Sequence, residues 1–259
     1  MKKNWVLILG GSSGLGLATA KKLAKHGFHL IIVHRDRRAD LERINRDFDE
    51  IKSHGVLLKA FNADALNRDK RMGLIHEIKT SLPEGHKIKV LVHSIAKGSL
   101  KPIFSNKQET LTDQDLKITF EAMALSLYDW TRALVSAKLF AEDVRIISFT
   151  SEGSKRVVPN YAAVSVAKVA LEALTRSIAV EFAPIGIKAN CIQAGITITK
   201  SLEMIPGFQE KKSDALERNP NNRLTTPEDV ANAVYLLTMD EAKWITGTVI
   251  KVDGGESLI

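Results

Sequence analysis

A tyrosine and a lysine with a spacing that suits proton chemistry lie in the stretch NYAAVSVAK, Asn160 to Lys168. Lys168 follows Tyr161 by seven residues and precedes the apolar-patterned run VALEALTRSIAVEF. On an α-helix, at about 100° per residue, positions seven apart lie about 20° from each other, so both side chains share one face. A positive charge favours the ionised form of a phenol, whose unperturbed pKa is about 10. The pair therefore predicts a site at which a phenol meets developing negative charge.

The elements that must position this pair alternate between short β-branched runs and longer amphipathic stretches. The predicted strands are WVLIL, HLIIVH, VLLKAF, IKVLVH, VRIISF, IKANCI and TVIKVD. They are apolar on both faces, as expected of a parallel sheet with helices on each side. Gly27 and Gly55 occupy helix C-cap positions, and TTPED puts Thr226 at an N-cap before Pro227. We predict an α/β protein with a doubly wound, Rossmann-type fold of about seven parallel strands, forming one domain over residues 1–259.

The first predicted strand runs into a glycine-rich turn, GGSSGLG, with the spacing G-x-x-x-G-x-G. A helical pattern follows, so the turn precedes a helix N-terminus, where free N–H groups and the helix dipole favour an anion. Glycine also lets the backbone approach a pyrophosphate closely. The turn therefore predicts a dinucleotide site. The residues expected to contact the cofactor here are Gly10, Ser12, Ser13, Gly14, Leu15 and Gly16.

The end of the second strand indicates which dinucleotide fits, because it faces the adenosine ribose. The sequence there is HRDRR, with Arg35 followed by Asp36. A guanidinium matches the charge and fork geometry of a 2′-phosphate, so Arg35 predicts NADPH, whereas Asp36 would suit NAD. A solvated group of charges would have the same composition. After the third strand, Asp64 and Ala65 are expected at the adenine, although Asp64 could equally be an ordinary turn residue.

The fourth strand ends in the sequence HSIA. Ligands in such sheets lie beyond the carboxyl ends of the strands, so Ser94, Ile95 and Ala96 are expected to line the cofactor. His93 could serve as a general base. A histidine at the end of a buried strand is more often a hydrogen-bonded core residue, and we expect that role here.

Composition narrows the class of protein. The 259 residues are 44% hydrophobic, enough for a substantial core, and the single cysteine, Cys191, excludes a disulfide framework or a thiolate metal site. The net charge is +7, but the basic residues are scattered and no nucleic-acid-binding module is recognisable. The apolar run near the N-terminus is too short for a signal peptide or a membrane span. We expect a cytoplasmic protein that binds neither nucleic acid nor membrane and carries no metal.

Several of these motifs together resemble the short-chain dehydrogenase/reductase superfamily over essentially the whole chain. They are the glycine turn, Asp64, Tyr161 with a downstream lysine, and KVDGG near the end. Within the superfamily, HSIA, VPNYAAVSVAK and NCIQAGITIT resemble the enoyl-acyl-carrier-protein reductases, in which six residues also separate the tyrosine and the lysine. The resemblance implies that Lys168 contacts the nicotinamide ribose hydroxyls and provides positive charge near Tyr161. It also implies cofactor contacts at Gly195, Ile196 and Thr199.

The resemblance implies a serine partner for Tyr161 at the end of the fifth strand. Ser148 precedes the tyrosine by thirteen residues, as in ketoreductases of the superfamily, but it lies in mid-strand, whereas Ser151 is at the strand's end. The predicted catalytic residues are therefore Tyr161, Lys168 and Ser151. Many enoyl reductases have a second tyrosine at this place and an altered glycine turn. The chain instead resembles their minority NADPH-using branch.

Two departures from the ketoreductases concern the lysine and an asparagine of the fourth helix. Ser165 occupies the fourth position after the tyrosine, and the segment KITFEAMALSL offers Thr119 or Glu121 but no asparagine. Lys168 starts about 4.5 Å further along the helix than a lysine at 165 would, a distance that its long side chain can span. Enoyl reduction stabilises an enolate and depends less on a proton relay than carbonyl reduction does. The departures therefore favour enoyl reduction.

The sequence thus predicts an NADPH-dependent enoyl-acyl-carrier-protein reductase of fatty acid synthesis, acting on an acyl thioester of acyl-carrier protein or coenzyme A. The alternatives are a 3-oxoacyl thioester or other carbonyl reductase, and a non-catalytic NADPH-binding regulator. Residues 200–223, with an apolar centre from Met204 to Phe208, are predicted to form a lid over the acyl chain. The resemblance also implies a homotetramer that packs through residues 112–138 and 157–183.

Overall fold

The centre of the molecule is a seven-stranded parallel sheet in a computed structural model that describes residues 4–199, 202 and 207–259. The order across the sheet is β3-β2-β1-β4-β5-β6-β7, and each neighbouring pair is parallel. The winding reverses between β1 and β4, which opens a crevice at their carboxyl ends. The predicted doubly wound fold is confirmed. The strands are β1 (Trp5–Leu9), β2 (His29–His34), β3 (Leu58–Asn62), β4 (Ile88–His93), β5 (Phe140–Ser151), β6 (Ile187–Ala194) and β7 (Val249–Val252).

Helices lie on both faces of this sheet. A π-helical turn, Glu121–Leu125, connects two of them, and Thr226 caps the last with Pro227 in its first turn, as predicted. Gly27 and Gly55 follow helix ends with left-handed φ of +80° and +72°, which confirms their predicted positions. The α-helices of the described residues are α1 (Gly14–Lys25), α2 (Leu41–Ser53), α3 (Arg68–Ser81), α4 (Asp113–Phe120), α5 (Ser126–Ser136), α6 (Ala162–Glu181), α7 (Phe208–Arg218) and α8 (Pro227–Thr238).

The core consists of two apolar layers, one on each face of the sheet. Strand β1 contributes to both, because successive side chains of a strand point to opposite faces. Trp5, Leu7 and Leu9 pack in the layer that contains residues of α3, α5 and α6, while Val6 and Ile8 pack in the layer that contains residues of α1, α2 and α8. Every residue of β1 and β2 is buried, as a parallel sheet covered on both faces requires.

The segment predicted as a lid is only partly described. Residues 200, 201 and 203–206, which include Met204 to Pro206, lie outside the described residues. Of the rest, Phe208 begins helix α7, and residues 219–223 form the turn after it. Closure over a ligand therefore stays a prediction. In the part of the chain that the structure describes, no helix has the length and apolar character needed to cross a bilayer.

Candidate active site

A crevice of about 820 Å³ lies at the carboxyl ends of the strands. It collects the predicted site residues from the loops after β1, β2, β3, β4, β5 and β6. Gly16 is the one predicted residue that does not line it, because it packs beneath the glycine turn. The predicted residues that line the crevice are Gly10, Ser12, Ser13, Gly14, Leu15, Arg35, Asp64, Ala65, Ser94, Ile95, Ala96, Ser151, Tyr161, Lys168, Gly195, Ile196 and Thr199.

The glycine turn forms one wall of this crevice. Gly10 has a φ of +86°, and a Cβ on it would collide with the Ser94 carbonyl. Ser13 precedes the first residue of α1, and its side chain makes no capping hydrogen bond to the described residues. The first turn of α1 contains no acidic residue. Its backbone N–H groups therefore remain suited to an anion, and the turn fits the pyrophosphate of a dinucleotide.

Tyr161 immediately precedes α6, and its carbonyl accepts a hydrogen bond from the Ser165 amide at 2.8 Å. Its ring lies beside Gly153, where an added Cβ would stand 2.7 Å from Cε1. The side chain of Ser165 donates to the Gly153 carbonyl at 2.6 Å. Burial raises the pKa of the Tyr161 phenol, and the adjacent Ser151 hydroxyl partly opposes this rise. The phenol is therefore protonated at neutral pH and can donate a hydrogen bond into the crevice.

The two serines considered as partners for Tyr161 have different surroundings. Ser148 is fully buried, and its Oγ lies 3.0 Å from Cys191 Sγ and 3.4 Å from Thr175 Oγ1. Ser151 ends β5 and lines the crevice, and its buried Oγ has no hydrogen-bond partner of good geometry among the described residues. Buried hydroxyls are normally paired. The geometry therefore favours Ser151 as the group that is available to a ligand oxygen.

Lys168 reaches the crevice from the second turn of α6. It is 7% exposed, and its Nζ donates to the Phe149 carbonyl at 2.6 Å. Burial lowers the pKa of Lys168 to about 8, against the opposing influence of Cys191 and Glu172. Lys168 and Tyr161 line the same crevice, although Tyr161 lies just outside the helix. The expected effect of Lys168 on the phenol is not seen, because burial and Ser151 are the influences on the Tyr161 pKa among the described residues.

His93 is a core residue, as expected. Its Nε2 lies 2.7 Å from the hydroxyl of Ser126, which itself donates to the Ala122 carbonyl. Burial and the charge of Lys168 lower the pKa of His93 to about 3. The imidazole is therefore neutral over the physiological range and poorly suited to act as a base.

The two positions considered for a relay residue have other surroundings. Thr119 Oγ1 donates to the Asp115 carbonyl at 2.7 Å and accepts from the Ser99 amide at 3.0 Å. Glu121 is exposed at the start of the π-helical turn. Neither residue lines the crevice, so neither takes the place of the missing asparagine.

Residues 10–257 of the chain match the family model described as enoyl-(acyl carrier protein) reductase. The chain belongs to this reductase family of the short-chain dehydrogenase/reductase superfamily. Two curated relatives are each 29% identical to the chain. The 1-cyclohexenylcarbonyl-CoA reductase of Streptomyces collinus matches over 98% of this chain and 86% of its own length. The 7alpha-hydroxysteroid dehydrogenase of Paraclostridium sordellii matches over 97% of this chain and 91% of its own length. The crystal structure of the Bacillus cereus enoyl-acyl carrier protein reductase with NADP+ and indole naphthyridinone has a TM-score of 0.86 and 26% identity, covering 99% of this chain and 97% of that one. The protein is thus an oxidoreductase.

At the far end of the reductase crevice, the residues predicted at the adenosine contact each other. Arg35 Nη1 donates to Asp64 Oδ2 at 2.8 Å, and Asp64 Oδ1 accepts from the Leu66 amide at 3.0 Å. Asp36 lies 2.8 Å from Nδ1 of the buried His34. One oxygen of the Asp36 carboxylate is therefore paired with His34, as Arg35 is with Asp64, and both Arg35 and Asp36 line the crevice.

A network of charged groups that also lines the crevice was not anticipated from the sequence. Arg218 donates to both carboxylate oxygens of Glu152 at 3.2 Å and lies 3.4 Å from Glu256 Oε1. Glu256, which is 2% exposed, accepts from the Ile196 amide at 3.0 Å. The network thereby links the loop after Ser151, helix α7 and the C-terminal segment to the loop after β6. These pairs are far apart in the chain, and no local pattern indicates them.

Two further residues of the reductase site were missed, although the sequence carried a signal for each. Gly153 follows the predicted serine by two residues, close enough to suggest a contact with the catalytic groups. Glu172 interrupts the apolar pattern of α6 four residues after Lys168, on the same helix face. A carboxylate on the buried face of a helix is uncommon, and it marks a position with a specific partner.

Proposed function

We propose that the protein is an NADPH-dependent reductase of the 2,3 double bond of enoyl thioesters. The observation that carries the proposal is that the Tyr161 phenol lines the crevice together with the Ser151 hydroxyl, which has no hydrogen-bond partner of good geometry among the described residues. Apolar side chains lie nearby and would suit an acyl chain. They are Leu100, Met123, Val157, Val158, Ile196 and Leu202.

The protein groups act on the oxygen of the thioester. When bound, the nicotinamide supplies a hydride for the β-carbon of the substrate. Tyr161 donates a hydrogen bond to the oxygen on which negative charge collects, and Ser151 provides a second donor. Fixed donors of this kind are most effective where they meet developing charge. Lys168 would supply positive charge next to these donors and would hold the nicotinamide ribose, while a proton would reach the α-carbon from solvent.

The choice of NADPH over NADH rests on Arg35. Its guanidinium is exposed on the crevice wall, where it can accept a second anionic partner beside Asp64. The similar Bacillus cereus structure contains NADP+, which supports the same choice.

The decisive experiment compares two substrates at equal concentration. We expect the purified protein to oxidise NADPH much faster with crotonyl-coenzyme A than with acetoacetyl-coenzyme A. Faster reaction with the 3-oxoacyl compound would replace the proposal with a ketoreductase. Binding of NADPH without turnover of either compound would indicate a regulator. Repeating the assay with crotonyl-acyl-carrier protein then identifies the preferred carrier.

The assembly is proposed to be a homotetramer. Helix α6 has apolar side chains on its outer face, including Val166, Val169 and Val180, which are 54%, 49% and 74% exposed. This surface belongs to the region 157–183, and burial against a second copy would remove it from water. Light scattering after gel filtration tests the prediction, and a monomer at micromolar concentration would contradict it.

A further inference from the structure

Glu172 is a buried carboxylate that the proposed chemistry does not use. It lies on α6, four residues after Lys168, and is 7% exposed. Residues four apart on a helix are neighbours on one face. Burial of a carboxylate is costly unless hydrogen bonds or an opposite charge compensate it, so its place on the same buried helix face as Lys168 calls for a physical reason.

One partner of Glu172 comes from the end of β5. Thr150 Oγ1 donates to Glu172 Oε1 at 2.7 Å. The residue before Thr150 supplies the carbonyl that accepts from Lys168, and the residue after it is Ser151. Adjacent residues of one strand therefore contact the ammonium, the carboxylate and the proposed substrate oxygen.

The other titratable groups around Lys168 are neutral at physiological pH. From β4, His93 is neutral because its pKa is about 3. From β6, Cys191 is a thiol, because burial raises its pKa. At the start of α6, burial likewise raises the pKa of Tyr161. Two of the described residues raise the pKa of Lys168, Cys191 and Glu172. Cys191 can do so only as a thiolate, so Glu172 is the one whose effect does not require ionisation of a buried thiol.

We propose that Glu172 is a positioning residue that keeps Lys168 protonated within the buried site. The proposal rests on the proposed function, in which the charge of Lys168 assists the Tyr161 phenol. It gives the buried carboxylate a role in an enzyme whose lysine lies seven residues after the tyrosine, with Ser165 in the usual position of the lysine.

The first test is the pH dependence of kcat/KM in Glu172→Gln. Glutamine retains an acceptor for Thr150 and removes the charge. Loss of a nearby negative charge lowers the pKa of an ammonium, so Lys168 loses its proton at a lower pH. We expect the alkaline limb of the profile to move down by about one pH unit, with activity near pH 6 retained. Glu172→Asp keeps the charge and should restore the original limb.

Two control variants separate charge from packing. Thr150→Val removes the hydrogen bond and keeps the carboxylate, so its alkaline limb should stay in place. Glu181→Gln removes a charge from the exposed end of the same helix and should have no effect. An equal loss of activity at every pH in Glu172→Gln would assign it a packing role and overturn the proposal. So would an unchanged profile.

A second measurement does not depend on turnover. The pKa of Lys168 can be followed by NMR of protein containing lysine labelled with ¹³C at Cε, with the signal assigned by Lys168→Arg. We expect a lower pKa in Glu172→Gln than in the unsubstituted protein. Failure of the protein to reduce either thioester would reject the proposed function, yet this titration would still decide the role of Glu172. An unchanged pKa would reject that role.

Discussion

The two ends of the crevice differ in how far water reaches their charged groups. At one end, Arg35 and Asp64 form an ion pair whose side chains are 59% and 25% exposed. At the other end, Lys168 is 7% exposed and donates to a backbone carbonyl. Water and salt screen exposed charges strongly and buried charges weakly. Substitutions at the Tyr161 end should therefore have larger effects than substitutions at the Arg35 end.

The largest effect is expected from Tyr161→Phe. The change removes one hydroxyl and leaves the ring against Gly153, so folding and cofactor binding should persist. Loss of one donor to a developing oxyanion typically lowers kcat about 100- to 1000-fold. Steady-state kinetics with crotonyl-coenzyme A measure the loss, and the fluorescence of bound NADPH measures the retained affinity.

Tyr128→Phe is the matched control for that prediction. The Tyr128 hydroxyl accepts from Arg132 on α5 and does not line the crevice. Its removal should leave kcat unchanged. Comparable losses in the two variants would contradict the assignment of Tyr161.

A somewhat smaller effect is expected from Lys168→Ala. The change removes a charge that is proposed both to assist the phenol and to contact the ribose, so kcat and cofactor affinity should fall together. A charge-assisted contact of about 1.5–3 kcal/mol corresponds to a tenfold to hundredfold loss in kcat/KM. Adding Ser165→Lys should not restore the lost activity, because it removes the hydroxyl that donates to the Gly153 carbonyl. Lys25→Ala, at an exposed position on α1, is the control, and kinetics as in that control would reject the role of Lys168.

The same two ends show which features the sequence could predict. The strand ends and the helix period brought Ser94, Ser151, Tyr161 and Lys168 together, because the topology of a doubly wound sheet places such positions at one edge. The contact of Glu256 with the Ile196 amide was not predictable, since it joins the loop after β6 to a short C-terminal 3₁₀ helix 60 residues later. Periodicity describes regular elements, whereas contacts between loops depend on how the whole chain packs.

Gly153→Ala tests how closely the Tyr161 end is packed. A Cβ at this position would stand 2.7 Å from Tyr161 Cε1 and 2.9 Å from Cδ1, so the ring must shift. Overpacking of this kind costs about 1–3 kcal/mol, and a displaced phenol should lower kcat by about tenfold. Gly73→Ala is the control, because nothing lies within 4 Å of the Cβ it adds in α3. Kinetics and thermal unfolding that match this control would show that the ring has room to move.

The smallest effect is expected at the exposed end, from Arg35→Ala. Only NADPH carries the 2′-phosphate, so its KM should rise while that for NADH changes little. Burial opposes ionisation of Asp64, but its hydrogen bonds to the Leu66 amide and Arg35 prevail and keep its pKa below the usual range. Removing Arg35 therefore also leaves a carboxylate close to the phosphate. Because the guanidinium is 59% exposed, solvent reduces the combined effect to about tenfold.

A double substitution separates the two contributions to that prediction. Arg35→Ala with Asp64→Asn removes the guanidinium and the carboxylate together, so part of the lost NADPH affinity should return. Arg38→Ala, an exposed arginine that does not line the crevice, should have little effect. The loss in Arg35→Ala should also shrink as salt is raised, because screening weakens exposed charges more than buried ones. A loss of affinity that is equal for NADPH and NADH, or independent of salt, would mean that Arg35 positions the loop rather than binding the phosphate. The difference in effect between the two ends of the crevice could then not be attributed to screening.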